Sequence, residues 1–178
     1  MLVRRSICSS HLLLLRYTLP VTTEQSFLLQ RVQPAMIGLI DGSLSTLAPI
    51  FGIAFYTHKP HAAFVAGLAT AIGAGISMAF SEGLSDTGEL TGRGSPGVRG
   101  AITGVGTFIG GILHTLPFLI PEYRAAVIAA AVVVAFELVG LAVLRWRFFG
   151  TGFGRSLFAV SVGGAVIAVV GALIGSET

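Results

Sequence analysis

Charge is scarce in this sequence. Of 178 residues, 11 are Lys or Arg and 8 are Asp or Glu, so 11% are charged, against about 25% in a soluble domain. Hydrophobic residues make up 53% and the mean hydropathy is +0.87. A water-soluble core is excluded, and the chain is integral to a membrane. The single cysteine, Cys8, excludes an intramolecular disulfide and a cysteine-based metal cluster. A net charge of +3 is too small to imply a nucleic-acid partner. No Gly-Lys-Ser/Thr phosphate cradle is present, so no ATP drive is encoded. No Ser/His/Asp set reads as a hydrolase, and no Glu-x-x-His pair offers a di-iron site. An enzyme is therefore not expected.

What the chain does have is long apolar runs. A span needs about 20 residues at 1.5 Å rise each. Five runs meet this, at about 35–56, 61–80, 98–119, 125–144 and 157–174, with short turns between them. The expected fold is an all-α, five-span, up-and-down bundle over residues 33–178. Residues 1–32 differ in kind. Met1 to Arg16 is basic and acid-free, and reads either as a targeting peptide or as an unstructured leader left by a truncated N-terminal domain. With the N-terminus in the cytoplasm and the C-terminus outside, nine arginines (4, 5, 16, 31, 93, 99, 145, 147 and 155) lie inside. Only Lys59 and Arg124 then lie outside, which is a strong positive-inside bias. An odd span count in so small a chain suggests a path shared by two protomers. Gly-x-x-x-Gly pairs at 38/42, 100/104, 106/110 and 171/175 allow close helix contact, within one chain or between two.

The residues that stand out are polar groups inside these runs. Asp41 lies about six residues inside the first run, with Ser45 one turn on and on the same face. An ionised carboxylate in hydrocarbon costs roughly 3 kcal/mol or more. Such a group is kept mainly to face an internal path or to bind a cation. Pro49 has no N–H and frees the carbonyl of Ser45. Carboxylate, hydroxyl and free carbonyl together suit a divalent cation. On the second run Met78, Glu82, Asp86 and Glu89 are spaced four, four and three apart, one stripe if the helix is continuous. Met78 and Glu82 join Asp41 as candidate metal ligands, and Asp86 and Glu89 would lead the metal in. The softer thioether fits Fe(II) better than Mg or Ca. Glu137, near the middle of the fourth run, suits a proton site, a ligand, or an internally bonded protonated acid. His114, toward the outer face, suits an exit ligand, a proton relay, or an imidazole bonded to backbone.

The phrases Asp41-Gly42, Gly75-Ile76-Ser77-Met78 and Glu82-Gly83-Leu84-Ser85 resemble the vacuolar iron transporter family of Fe(II)/Mn(II) transporters. Closer likeness is to the membrane half of bacterial membrane-bound ferritins, in Leu44 to Pro49, Ser85-Asp86, Leu90 to Pro96 and His114 to Pro117. The resemblance covers about residues 28–176. It implies a five-span homodimer with the ion path between protomers, and Asp41, Met78 and Glu82 at the metal site. It also implies export of Fe(II), with Mn(II) as a second cargo, from the cytoplasm in exchange for protons. The metal is cargo, so no resident cofactor is expected. A bacterial inner membrane is the expected location, and the leader leaves an organellar membrane open. Two features depart from the family. Thr70 stands where many members carry Glu, and the 81–97 gap lacks the long Glu-rich insertion. The competing expectation is a non-transporting membrane anchor or assembly subunit for a ferritin-like partner.

Overall fold

The computed structural model describes residues 22–176, so most of the leader expected over 1–32 lies outside the described residues. Within them the chain is helical from Thr23 onward. Helix α1 runs Thr23–Thr57. It opens on a capping box, in which Thr22 accepts from the Gln25 N–H while the Gln25 side chain accepts from the Thr22 N–H. A π-helical turn spans Leu28–Val32, and the helix is interrupted at Thr46. The break lies where Pro49 removes one backbone donor. Helices α2 (Pro60–Ser85), α3 (Pro96–Leu113), α4 (Tyr123–Phe149) and α5 (Phe153–Ser176) follow. A 3₁₀ turn, Leu116–Leu119, precedes α4.

Four of the five helices, α1, α2, α4 and α5, are long and apolar enough to cross a membrane. The third apolar run does not yield a helix of that kind. Its helix stops at Leu113, and Pro117 and a 3₁₀ turn replace the continuation to residue 119. This end is nonetheless buried, with His114 and Thr115 fully covered and Phe118 nearly so. Irregular backbone is tolerated at such depth only inside protein. Here the Thr115 hydroxyl donates to the Gly111 carbonyl, and the Thr115 and Phe118 N–H groups donate to the Ile112 and Thr115 carbonyls.

The fourth run extends beyond its expected end at Leu144. Arg145 and Arg147, expected in a turn, belong to the last turns of α4, which closes on Gly150 in the left-handed region. Arginine is a good helix former, and its charge complements a helix C-terminus. Conversely, α2 ends at Ser85. Asp86 is extended, so Glu89 leaves the stripe begun by Met78 and Glu82 and lies exposed in the following loop.

The four Gly-x-x-x-Gly pairs all close contacts within this chain. A Cβ on Gly38 or Gly42 would overlap the Thr103 or Thr107 carbonyl of α3. Gly100 and Gly104 face Ala79 and Gly75 of α2, and Gly106 and Gly110 face Ala35, Leu39 and Ser43 of α1. Gly171 and Gly175 lie on Ala48 and Gly52. Helix α3 is therefore wedged backbone-to-backbone between α1 and α2. Replacing Gly42 by valine is expected to force α1 from α3 and cost about 1–3 kcal/mol or more. Gly73, with nothing near its missing Cβ, should accept alanine without loss. Unfolding of both variants in detergent micelles, side by side, checks the contrast.

Candidate functional site

Asp41 is half-buried on α1, and Ser45, one turn on, is exposed. Asp41 makes no hydrogen bond or ion pair among the described residues. The same face carries both side chains because residues four apart align on a helix. Gly38 and Gly42, on the adjoining side of the helix, bind α3. Asp41 thus sits beside, rather than inside, the tight α1–α3 seam. Met78 is half-buried on α2, and Thr70 returns its hydroxyl to the Ala66 carbonyl.

Glu82 and Asp86 are engaged by arginines. Glu82 Oε1 accepts from Arg93 Nη2 at 2.6 Å and from Arg99 Nε at 2.9 Å. Asp86 Oδ2 accepts from Arg93 Nη1 at 2.9 Å and lies 3.3 Å from Arg99 Nη2. Arg99 is fully buried and also donates to the Gly94 and Asp86 carbonyls. The loop between α2 and α3 folds back over this cluster through Gly88, Gly92 and Gly94, all at positive φ, a region that costs glycine little. Gln30 of α1 pins the loop by donating to the Gly92 carbonyl. Burial raises the Asp86 pKa. Hydrogen bonds from Arg93, Thr91 and the Gly88 backbone, with the charge of Arg99, outweigh it and hold the carboxyl below its ordinary 3.8.

His114 and Glu137, assigned separate depths from the sequence, meet. His114 Nδ1 lies 2.9 Å from Glu137 Oε2, with the two side chains 0% and 7% exposed. His114 Nε2 lies 2.7 Å from Thr46 Oγ1, at the break in α1. The Thr46 hydroxyl donates to the Gly42 carbonyl at 2.8 Å, so its oxygen accepts from His114 Nε2–H. That fixes the tautomer. The remaining contact then holds one proton between Nδ1 and Oε2. The pair is either imidazolium with carboxylate or neutral imidazole with a carboxylic acid. Glu137 Oε1 is buried without a partner, which leaves an acceptor free for an incoming proton or a water.

Arg93, Arg99 and Thr46 carry these networks, yet sequence reasoning used the arginines only for orientation and did not single out Thr46. The legible signal was an acid at the end of α2 followed by two arginines across a glycine-rich loop. For Thr46 it was a hydroxyl three residues before a mid-span proline. Among the described residues no three His, Cys, Asp or Glu side chains gather into a metal-binding group.

Long apolar helices enclosing a polar interior define a multi-span α-helical membrane protein. The family model that matches the chain is that of the VIT family, over residues 32–91. This is about a third of the chain, and over it the protein is similar to that family. VIT proteins are transporters rather than enzymes, and the match together with the apolar helices supports a role in membrane transport. The matched segment holds Asp41, Met78, Glu82, Asp86 and Glu89 and stops short of Arg93, Arg99, His114 and Glu137. No curated protein and no solved structure matches the chain.

Proposed function

We propose that the protein is a secondary transporter that moves Fe(II), and Mn(II) as a second cargo, out of the cytoplasm in exchange for protons. The observation that carries this reading is Asp41, a half-buried carboxylate within a long apolar helix that has no partner among the described residues. A membrane protein retains such a group at a cost, and a cation offsets it. An anchor would gain nothing from it. In this reading the chain crosses the membrane five times, with the N-terminus inside and the C-terminus outside. Two copies bring their α1 faces together, because one chain supplies too few ligands for a divalent ion. Asp41 and Met78 hold the cargo, with Ser45 beside the path.

Exposed Glu89 meets the ion first. The Glu82–Arg93–Asp86–Arg99 cluster closes the cytoplasmic end, so Glu82 and Asp86 contribute to the ion only when Arg93 swings aside. The His114–Glu137 pair is the proton site. The membrane is a bacterial inner membrane, and the nearer kinship is with the membrane half of membrane-bound ferritins.

Flux into proteoliposomes tests this. Wild-type protein is expected to move Fe(II) or Mn(II) in response to a pH gradient, and Asp41→Ala, shown to be inserted and folded, is expected to move neither. Equal flux by the two would sink the assignment. No flux from folded wild type would favour the anchor.

A further inference from the structure

A second half-buried charge without a partner among the described residues lies elsewhere on the molecule. Arg145, four residues from the end of α4, makes no hydrogen bond or ion pair among the described residues, and its Nε is buried. It lines a groove of about 320 Å³ with Gln33, Met36, Ile37, Ile40 and Phe149. Gln33 Oε1, on the same groove, is also buried without a partner. Gln33 and Phe149 continue into a neighbouring groove of about 500 Å³, so the surface between α1 and the end of α4 is one long trough. A buried donor left unpaired costs about 1–3 kcal/mol, and more when charged.

Two independent counts give the depth of this trough. Twenty residues, about 30 Å, make one hydrocarbon thickness. Counted from the outer end of α1 at Thr57, they reach about Ile37. Counted from the outer end of α4 at Tyr123, they reach about Ala142. Arg145 and Gln33 therefore lie at the headgroup level of one leaflet, and Ile37 and Ile40 begin the acyl region. Among the described residues no carboxylate pairs with Arg145. Residues 1–21 contain no Asp or Glu.

We propose that this trough is a binding site for an anionic glycerophospholipid. Its phosphodiester accepts from Arg145, a headgroup hydroxyl donates to Gln33, and an acyl chain lies along Ile37 and Ile40. A basic pocket between helices at the inner leaflet is suited to such a headgroup. The guanidinium also offers a fork that an ammonium lacks. Asp41, His114 and Glu137 do not line this groove, and of the proposed reading the site uses only the orientation that puts the end of α4 at the inner leaflet.

Native mass spectrometry of the full chain in detergent tests this, with dioleoyl phosphatidylglycerol, dioleoyl phosphatidylcholine and soluble glycerol phosphate as probes. Wild-type protein is expected to retain phosphatidylglycerol over phosphatidylcholine by about fivefold or more. Arg145→Gln should erase the preference, Arg145→Lys should restore part of it, and glycerol phosphate should not compete. Equal retention of both lipids, or an unchanged preference in Arg145→Gln, would overturn the site. Competition by glycerol phosphate would reassign it to a soluble anion. A dimer that excludes lipid and dissociates in Arg145→Gln would assign the trough to a second copy. If Arg145→Gln does not fold, Gln33→Leu decides, since it is expected to weaken phosphatidylglycerol retention and leave phosphatidylcholine unchanged. No change would count against the proposal.

Discussion

Arg99→Met is expected to destabilise the protein by about 3 kcal/mol, because it takes from buried Glu82 one of its two cations and leaves Arg93 shared between two carboxylates. The Arg99 side chain is 1% exposed and that of Glu82 10%, so solvent cannot replace the lost cation. Arg93 alone would then face Glu82 and Asp86, and the Gly94 and Asp86 carbonyls would lose their donor. Without those ties the loop between α2 and α3 should loosen first, seen as faster amide exchange there than in α4 or α5. The effect has a pH signature. Asp86 has a lowered folded pKa, so its contribution is present above the ordinary value of 3.8 and is lost as the pH falls through the lower folded value. The gap between wild type and Arg99→Met should narrow in that acid range. Denaturation in micelles at neutral pH and near pH 3 measures both parts. A loss below about 1 kcal/mol at neutral pH would mean that the cluster is no more than an exposed surface pair.

Glu137→Gln is expected to leave the fold nearly intact and bring proton-driven flux down to that of empty liposomes. Glutamine fills the same volume, and its amide can donate to His114 Nδ1, preserving the contact to Thr46 and the shape of the break in α1. It cannot carry the exchangeable proton. Wild type and variant should unfold alike while differing in gradient-driven metal flux. Unchanged flux would remove Glu137 from the proton path and leave the pair as an internal brace for α1 and α4. Infrared difference spectra tell which atom holds the proton in the resting protein, since a protonated Glu137 gives a carboxylic C=O band that Glu137→Gln must lack.

Much of the architecture is written locally. Length and hydropathy alone determine that α1, α2, α4 and α5 can cross a bilayer, because each is a run of apolar residues that satisfies its own backbone. Asp41 was legible for the same reason, since a single carboxylate in such a run stands out against its neighbours. The glycine pairs marked close packing, but a glycine does not say whether the backbone it admits belongs to its own chain. Only the tertiary arrangement assigned Gly38 and Gly42 to Thr103 and Thr107. The shorter α3 was hidden because apolar content carries past Leu113, while the end of the helix depends on Pro117 and on burial of a non-helical stretch.

The charge pairings were illegible in another way. Glu82 and Arg99 are 17 residues apart, His114 and Glu137 are 23, and Thr46 and His114 are 68. No local period links such positions. The sequence by itself determined a membrane-embedded helical protein with a costly acid in its first span. Which acids are neutralised and which remain free was decided only by the fold. A buried charge is settled by whatever partner the packing brings within about 3 Å, and that depends on how helices cross rather than on the residues next to it in the chain.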